Sequence, residues 1–268
     1  MDIFTHTLSG MAAATAVAAL SGRSLKDQFL IICCGAAGAM LPDLDALTRW
    51  PDFDAVIGKA LDLSRTGRDI YYGHHWYSHH GFMHSLAAAA IFTLAGALLR
   101  YLYCRLRSGV RSASAVIMNA SGFLLAFFFG YLMHLLGDLP TPDAAWNGIR
   151  LFWPLSPFVG GFGYIWWWNN YDIFLIFLVG GALNAALIVA NRYLKRRLLR
   201  TAPTLIFLCM ICAALFQITH RPARFSSAGN PAGHAEKEHQ SLAIQRDILG
   251  ERLYGIMNAL DRKIPIPF

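Results

Sequence analysis

The chain has 268 residues, of which 56% are hydrophobic and only 15% are charged. Its mean hydropathy of +0.41 excludes an ordinary water-soluble globular domain. The formal net charge of +7 does not indicate nucleic-acid binding, because eleven of the 23 Lys and Arg residues cluster in three connections between apolar stretches. We therefore expect an all-α, polytopic membrane protein that binds no nucleic acid.

Apolar stretches, taken in chain order, predict about six membrane-embedded helices. Four stretches approach the ~20 residues that an α-helix needs to cross the hydrocarbon core: 85–104, 116–136, 173–190 and 203–219. The first two stretches, 3–20 and 29–41, are less decisive, because one contains His6 and the other is short unless it continues through Asp43 and Asp45. They form either full spans or a tilted, partly inserted hairpin.

The C-terminal part of the chain is polar and differs from the rest. Residues 220–240 contain Pro and Gly residues at the spacing of a linker. An apolar stripe at helical spacing then runs through residues 241–268, at Leu242, Leu249, Leu253, Ile256 and Leu260. We therefore expect a membrane-embedded domain at 1–219 that holds the candidate site, a linker at 220–240, and an amphipathic helix at 241–268 that packs on the bundle or lies on the membrane.

The basic connections give the orientation of the bundle. Connections 21–28, 100–111 and 192–200 are rich in Lys and Arg, which places them on the cytoplasmic side by the positive-inside rule. The connections 42–84 and 139–171 then lie on the opposite side, together with both termini. In a bacterium that side of the inner membrane is the periplasm.

Acidic and histidine residues recur four residues apart at the ends of apolar stretches, a spacing that places both side chains on one helix face. The pairs are Asp2 with His6, His80 with His84, and His134 with Asp138, and they are joined by Asp43 and Asp45. Every set emerges on the non-cytoplasmic side, although the basic residues alone gave the orientation. Ionisable groups near lipid need partners, and a divalent cation relieves the repulsion between clustered carboxylates. The pattern predicts a membrane-embedded metal site.

Each set also has a simpler explanation. Asp2 could cap the first helix, and the Pro42-Asp43-Leu44-Asp45 segment could end the second one. Some of the histidines between 74 and 84 could belong to an interfacial aromatic belt, because Tyr and Trp residues surround them. His134 and Asp138 lie within an otherwise apolar helix, so a purely structural origin explains them least well.

Together the motifs resemble those of the YdjM family of bacterial inner-membrane proteins, which are predicted metal-dependent hydrolases. The resemblance covers roughly residues 1–160 and rests on Thr5-His6, Pro42-Asp43-Leu44-Asp45, the segment 79–85 and the segment 134–141. Two positions differ from the family pattern. The usual His-Arg-Gly is His79-His80-Gly81 in this chain, and the Thr before the last His of that motif is Met83.

That family is grouped with the zinc-dependent phospholipase C and single-strand nuclease superfamily, whose all-helical enzymes hold zinc ions with His and Asp. The resemblance therefore implies hydrolysis of a phosphoester by a metal-activated water at one or more divalent ions, with zinc favoured by the mixed ligands. The metal ligands expected from pattern and resemblance are Asp2, His6, Asp43, Asp45, His79, His84, His134 and Asp138. Asp45 could also act as the general base, and His80 could contact the substrate.

An aromatic, Gly-rich stretch at 146–170 follows the last motif and includes Trp153 and three consecutive Trp residues at 166–168. It is typical of interfacial anchoring, and a lipid that enters from the outer leaflet would meet those rings first. We expect a membrane lipid or another membrane-confined phosphoester as substrate. Two other functions would use the same ligands. A transporter would need further acids or histidines towards the cytoplasm, and a non-catalytic protein would have a closed structural metal site.

Overall fold

The computed structural model describes residues 1–108, 112–143, 147–155, 157–225 and 233–263, and within these ranges it has helices but no strand. The α-helices are α1 (Ile3–Ser21), α2 (Leu25–Met40), α3 (Gly67–Tyr72), α4 (Leu86–Ser108), α5 (Ala113–Asp138), α6 (Tyr171–Leu194), α7 (Arg197–Thr219) and α8 (His234–Lys263). Two 3₁₀ segments, Leu41–Arg49 and Phe82–His84, and a π-helical turn, Asp54–Gly58, complete the set. The predicted all-α class is confirmed.

Six of these helices are long and apolar enough to cross a membrane. Helices α4 to α7 coincide with the four predicted spans. The second candidate span runs for 25 residues from Leu25 to Arg49, because the 3₁₀ segment continues α2 through Asp43 and Asp45. Both of the first two helices therefore have the length of full spans, and the alternative of a partly inserted hairpin is not required.

Helix α1 lies at the centre of the bundle and packs against α2, α5, α6 and α7. Glycines allow the closest approaches. A Cβ added to Gly10 would lie 2.6 Å from the carbonyl oxygen of Gly35, and one added to Gly130 would lie 2.0 Å from the same oxygen. The backbones of α1, α2 and α5 are therefore in direct contact, as is common for helices in lipid.

Hydrogen bonds connect the helices both in the middle of the bundle and at its basic end. Asn184 of α6 is fully buried and donates to Thr15 Oγ1 of α1 at 2.9 Å and to the carbonyl of Pro203 in α7 at 3.1 Å. At the basic end, the guanidinium of Arg23 bonds the carbonyl of Asn119, and that of Arg200 bonds the carbonyl of Leu20. These basic connections lie at the opposite end of the helices from the acid and histidine residues. Arg111 falls outside the described residues.

The terminal helix packs on the bundle, which was one of its two expected positions. Helix α8 begins at His234, earlier than the predicted 241, because residues 235–239 are polar but include good helix formers such as Ala, Glu and Lys. Gln245 of α8 accepts a hydrogen bond from the backbone N–H of Asp172, at the start of α6. Part of the predicted linker, 226–232, lies outside the described residues.

Candidate metal centre

Five histidines and three aspartates meet at one end of the bundle. They come from the first turns of α1, the 3₁₀ segment after α2, the segment before α4 and the end of α5: His6, Asp43, Asp45, His79, His80, His84, His134 and Asp138. Four groups of three have ligand atoms within 4.8 Å of one another. These groups are His79-His80-His84, His6-Asp43-His134, His84-His134-Asp138 and Asp43-Asp45-His79. The centre is thus one cluster that could hold a metal ion.

The innermost part of the cluster brings two imidazoles and two carboxylates within metal-ligand spacing. Nε2 of His84 and Nε2 of His134 are 3.2 Å apart. Asp43 Oδ1 lies 3.4 and 3.5 Å from these two nitrogens, and Asp138 Oδ2 lies 3.6 and 3.1 Å from them. Bonds of ~2.0–2.1 Å to a tetrahedral metal place neighbouring ligand atoms about 3.3 Å apart. His84, His134 and Asp138 therefore have the spacing that three ligands of one tetrahedral ion require, and Asp43 lies at a similar distance from both histidines.

Hydrogen bonds to backbone carbonyls orient two of the imidazoles. His134 Nδ1 donates to the carbonyl of Ala39 at 2.7 Å, and His80 Nδ1 donates to the carbonyl of Gly148 at 3.0 Å. A carbonyl only accepts, so the proton of each neutral ring is on Nδ1 and Nε2 carries a lone pair. In the neutral His134 ring that lone pair faces Asp138 Oδ2 at 3.1 Å, and either a metal cation or a second ring proton between the two atoms relieves the repulsion.

Asp138 also joins the cluster to the start of α1. Its Oδ1 accepts from the amino group of Met1 at 2.8 Å and lies 3.0 Å from Nε2 of His6. The His6 ring stacks on His134, with ring centres 3.9 Å apart. Gly137 is required here, because a Cβ at this position would lie 2.9 Å from Cε1 of His6. The Gly-Asp sequence at the end of α5 therefore admits the histidine of α1.

Outside the spanning segments, charge and burial set the protonation of the histidines. Burial lowers the pKa of His79, but the adjacent Asp45 carboxylate, whose Oδ1 is 2.8 Å from Nδ1, outweighs it and raises that pKa. Burial lowers the pKa of His84, and burial with neighbouring imidazoles lowers the pKa of His80 well below its usual range. His80 and His84 are therefore neutral near pH 7, which is the form that ligates metals.

Several buried polar atoms in the cluster have no hydrogen-bond partner among the residues that the structure describes. They are His6 Nδ1, His84 Nδ1, Asp45 Oδ2 and Asp138 Oδ2. Buried carboxylate oxygens are costly without a donor or a cation. Together with the ligand spacing, the two carboxylate oxygens indicate that the residues present fit a bound divalent metal.

Asp2 is the predicted ligand that the structure uses differently. It is the N-cap of α1, where its carboxylate accepts from the backbone N–H of Thr5 at 2.9 Å and from Thr5 Oγ1 at 2.7 Å. It belongs to none of the four groups formed by described residues. A residue at this position satisfies the free N–H groups of the first turn, so the capping explanation holds for Asp2.

The aromatic stretch is more buried than interfacial anchoring predicts. Trp166 is completely buried against Phe225 and Ile244, so it joins the bundle to α8 and does not reach lipid. Trp153 is half-buried against Phe82. Trp146 and Ser156 lie outside the described residues.

Sequence reasoning missed three parts of the centre. The carbonyl of Ala39 has no side-chain signal, and neither has that of Gly148. The ring of Tyr71 stacks on His79, with ring centres 4.4 Å apart. Only the density of aromatic residues around 71–77 could have indicated this contact.

Six helices long and apolar enough to span a membrane, with a buried cluster of His and Asp at one end, define a polytopic membrane protein with a candidate metal centre. Residues 1–221 match the family model described as YdjM inner membrane protein, so the chain belongs to that family. This confirms the predicted family and its inner-membrane character. No curated protein matches the chain, and no solved structure does.

Proposed function

We propose that this protein is a membrane-bound, metal-dependent hydrolase that cleaves a phosphoester. The observation that supports it is the convergence of imidazoles and buried carboxylates around His84 and His134, whose Nε2 atoms are 3.2 Å apart. Mixed His and Asp ligands favour zinc over magnesium. Asp43 belongs both to a group with His6 and His134 and to one with Asp45 and His79, so the cluster is large enough for more than one ion.

A bound metal would supply a water of near-neutral pKa and would polarise a phosphoryl oxygen. The chain's own residues do the rest. The carbonyl of Ala39 accepts the Nδ1 proton of His134, so Nε2 of that ring faces the cluster without a proton. The carboxylates of Asp43 and Asp138 would balance the positive charge of a bound ion. Asp45 is the proposed general base, because His79 fixes its Oδ1 and its Oδ2 is buried without a hydrogen-bond partner in the described part of the chain.

The proposed substrate is a membrane lipid or another membrane-confined phosphoester, reached from the periplasmic side. The 3₁₀ segment that carries Asp43 and Asp45 also exposes Leu44 and Leu47, and the exposed Trp50 follows it directly, so apolar side chains flank the ligands. The basic connections at the other end of the bundle support the periplasmic orientation.

A transport function has less support from the bundle interior. Deeper in the bundle, the buried polar residues in the described ranges include Thr15, Gln28 and Asn184, which are uncharged and bonded to helix carbonyls or to each other. A transport path for a cation would be expected to carry acids or histidines at that depth.

Elemental analysis of the purified protein tests the metal centre. Wild type is expected to retain zinc, whereas His134→Ala and Asp138→Ala should each lose most of it. His220→Ala is the matched control, because His220 is exposed and bonds a carbonyl of its own helix. Full zinc content in His134→Ala would contradict the centre proposed here.

Hydrolysis is tested in parallel on bis(p-nitrophenyl) phosphate and on phospholipid vesicles, with metal removed by chelator and restored. Activity should follow zinc content in every variant except Asp45→Asn, which should keep zinc in the His84–His134 group and lose turnover. Stoichiometric zinc in a wild type that hydrolyses none of these substrates would favour a structural metal and refute the hydrolase.

A further inference from the structure

Arg150 lies beside the metal centre, on the connection that follows α5. Its backbone N–H donates to the carbonyl of His80 at 2.9 Å, and the carbonyl of Gly148 accepts from His80 Nδ1 at 3.0 Å. One residue further, the carbonyl of Leu151 accepts from the N–H of Leu86 at 3.0 Å. Backbone bonds therefore fix Arg150 next to His80, independently of its side chain.

The guanidinium of Arg150 has an aromatic neighbour and no ion pair with a described carboxylate. Its central carbon lies 5.0 Å from the ring centre of Phe158, whose ring in turn meets His74 edge to face. Stacking on an aromatic face orients a guanidinium and leaves its N–H edge available for hydrogen bonds. The Arg150 side chain thus packs against Phe158.

Nε of Arg150 is buried and has no hydrogen-bond partner among the described residues. Buried N–H groups in proteins are nearly always paired. Nε of Arg221 is likewise buried without a partner in the described ranges, but its Nη2 pairs with both carboxylate oxygens of Asp172 at 2.9 and 3.0 Å. Arg150 is partly buried, but its Nε is enclosed beside the metal centre and no described carboxylate pairs with it, which are features of an anion site.

We propose that Arg150 binds the phosphate group of the molecule that reaches the metal centre. The guanidinium fork matches two phosphate oxygens, and the contact with Phe158 restricts its motion. The role of Arg150 in substrate specificity rests on the proposed function. Binding of an anion by Arg150 does not, because it requires no turnover. The phosphate could belong to a lipid headgroup or could be free in solution, and both sources present the same oxygens.

Calorimetric titration of the purified, zinc-loaded full chain measures the site with two probes. Inorganic phosphate represents the free source, and water-soluble dihexanoyl phosphatidic acid represents the headgroup. Arg150→Gln should weaken binding about 10- to 100-fold, because it removes hydrogen bonds to a charged group. Arg150→Lys should recover part of the loss, since it restores the charge without the fork.

Arg246→Gln is the matched control, because that guanidinium lies 5.1 Å from the Tyr254 ring but on α8. It should bind both probes like wild type, and all variants should keep the same zinc content. A loss confined to phosphatidic acid assigns the site to a headgroup, and a loss confined to inorganic phosphate assigns it to free phosphate.

The inference is overturned if Arg150→Gln binds both probes like wild type, or if wild type binds neither. The proposed function can fail separately. A wild type without turnover whose phosphate binding still depends on Arg150, also after treatment with chelator, would refute the hydrolase and keep the anion site. Turnover with an unchanged KM in Arg150→Gln would keep the hydrolase and refute the role of Arg150 in binding the substrate.

Discussion

The substitution Gly130→Ala should weaken the metal centre without touching any ligand. Gly130 lies one turn before His134, where α5 crosses α2, and an added Cβ would lie 2.0 Å from the carbonyl oxygen of Gly35. Real Cβ atoms do not approach other atoms within 3.0 Å. The difference, 3.0 minus 2.0, means that α5 must move away from α2 by about 1 Å, because neither backbone can yield locally.

The displacement acts on the bonds that orient His134. Carried one turn along α5, it lengthens the 2.7 Å bond from His134 Nδ1 to Ala39 to about 3.7 Å, which is beyond hydrogen-bond length. The 3.5 Å distance between His134 Nε2 and Asp43 Oδ1 opens as well. Loss of such an orienting partner lowers metal affinity about 10- to 100-fold. The overpacked contact itself costs about 1–3 kcal/mol of stability.

Competition between the protein and a zinc chelator of known affinity measures the first effect, and thermal unfolding in detergent measures the second. Gly181→Ala is the control, because Gly181 also lies in a spanning helix but its added Cβ would meet nothing within 4 Å. Gly181→Ala should match wild type in both assays. If Gly130→Ala binds zinc as tightly as Gly181→Ala, the helix contact does not position the ligands and the reasoning is wrong.

Three further predictions concern protonation and stability. Because Asp45 raises the pKa of His79, zinc must displace a proton from this ring in order to bind it. Zinc affinity should therefore rise with pH up to that raised pKa and then level off. Zinc titrations between about pH 6 and 8 measure this dependence, which His79→Gln should remove. Arg221→Met should destabilise the protein by about 3–5 kcal/mol in thermal unfolding, since Asp172 is left buried without its partner, and adding Asp172→Leu should restore most of the loss. Asn184→Val should cost only about 0.6–1.7 kcal/mol by the same assay, the range measured for hydrogen bonds between spanning helices, and a larger loss would show that Asn184 has a further role.

The spans and the clustering of the ligands were predictable because each leaves a strong signal in the sequence. Lipid requires about 20 apolar residues per crossing, and basic connections mark one side of the membrane. Once the sides are known, the His134–Asp138 pair has to emerge beside His84 and Asp43. In the structure, the ligand atoms of His84 and His134 lie within 3.6 Å of each other and of an oxygen of Asp43 and of Asp138.

Other parts of the centre were not predictable because their sequence signal is ambiguous or absent. A carboxylate four residues before His6 suits both a ligand and a helix cap, and only the position of Thr5 decides for the cap. The carbonyl of Ala39 orients His134, yet any residue at 39 would supply a carbonyl. Arg150 is remote in sequence from every motif and reaches His80 only through backbone bonds.

The small residues of the bundle and the ligands of the centre are two aspects of one constraint. Asp and His have short side chains, so ligands from different helices can meet only where the backbones nearly touch. Gly10, Gly35 and Gly130 create that contact between α1, α2 and α5 within one to two turns of His6, Ala39 and His134. A bundle of the same hydrophobicity built from Leu would still span the membrane, but its helices would lie farther apart. We therefore expect glycine at these positions to support both the packing of the helices and the metal affinity of the candidate centre.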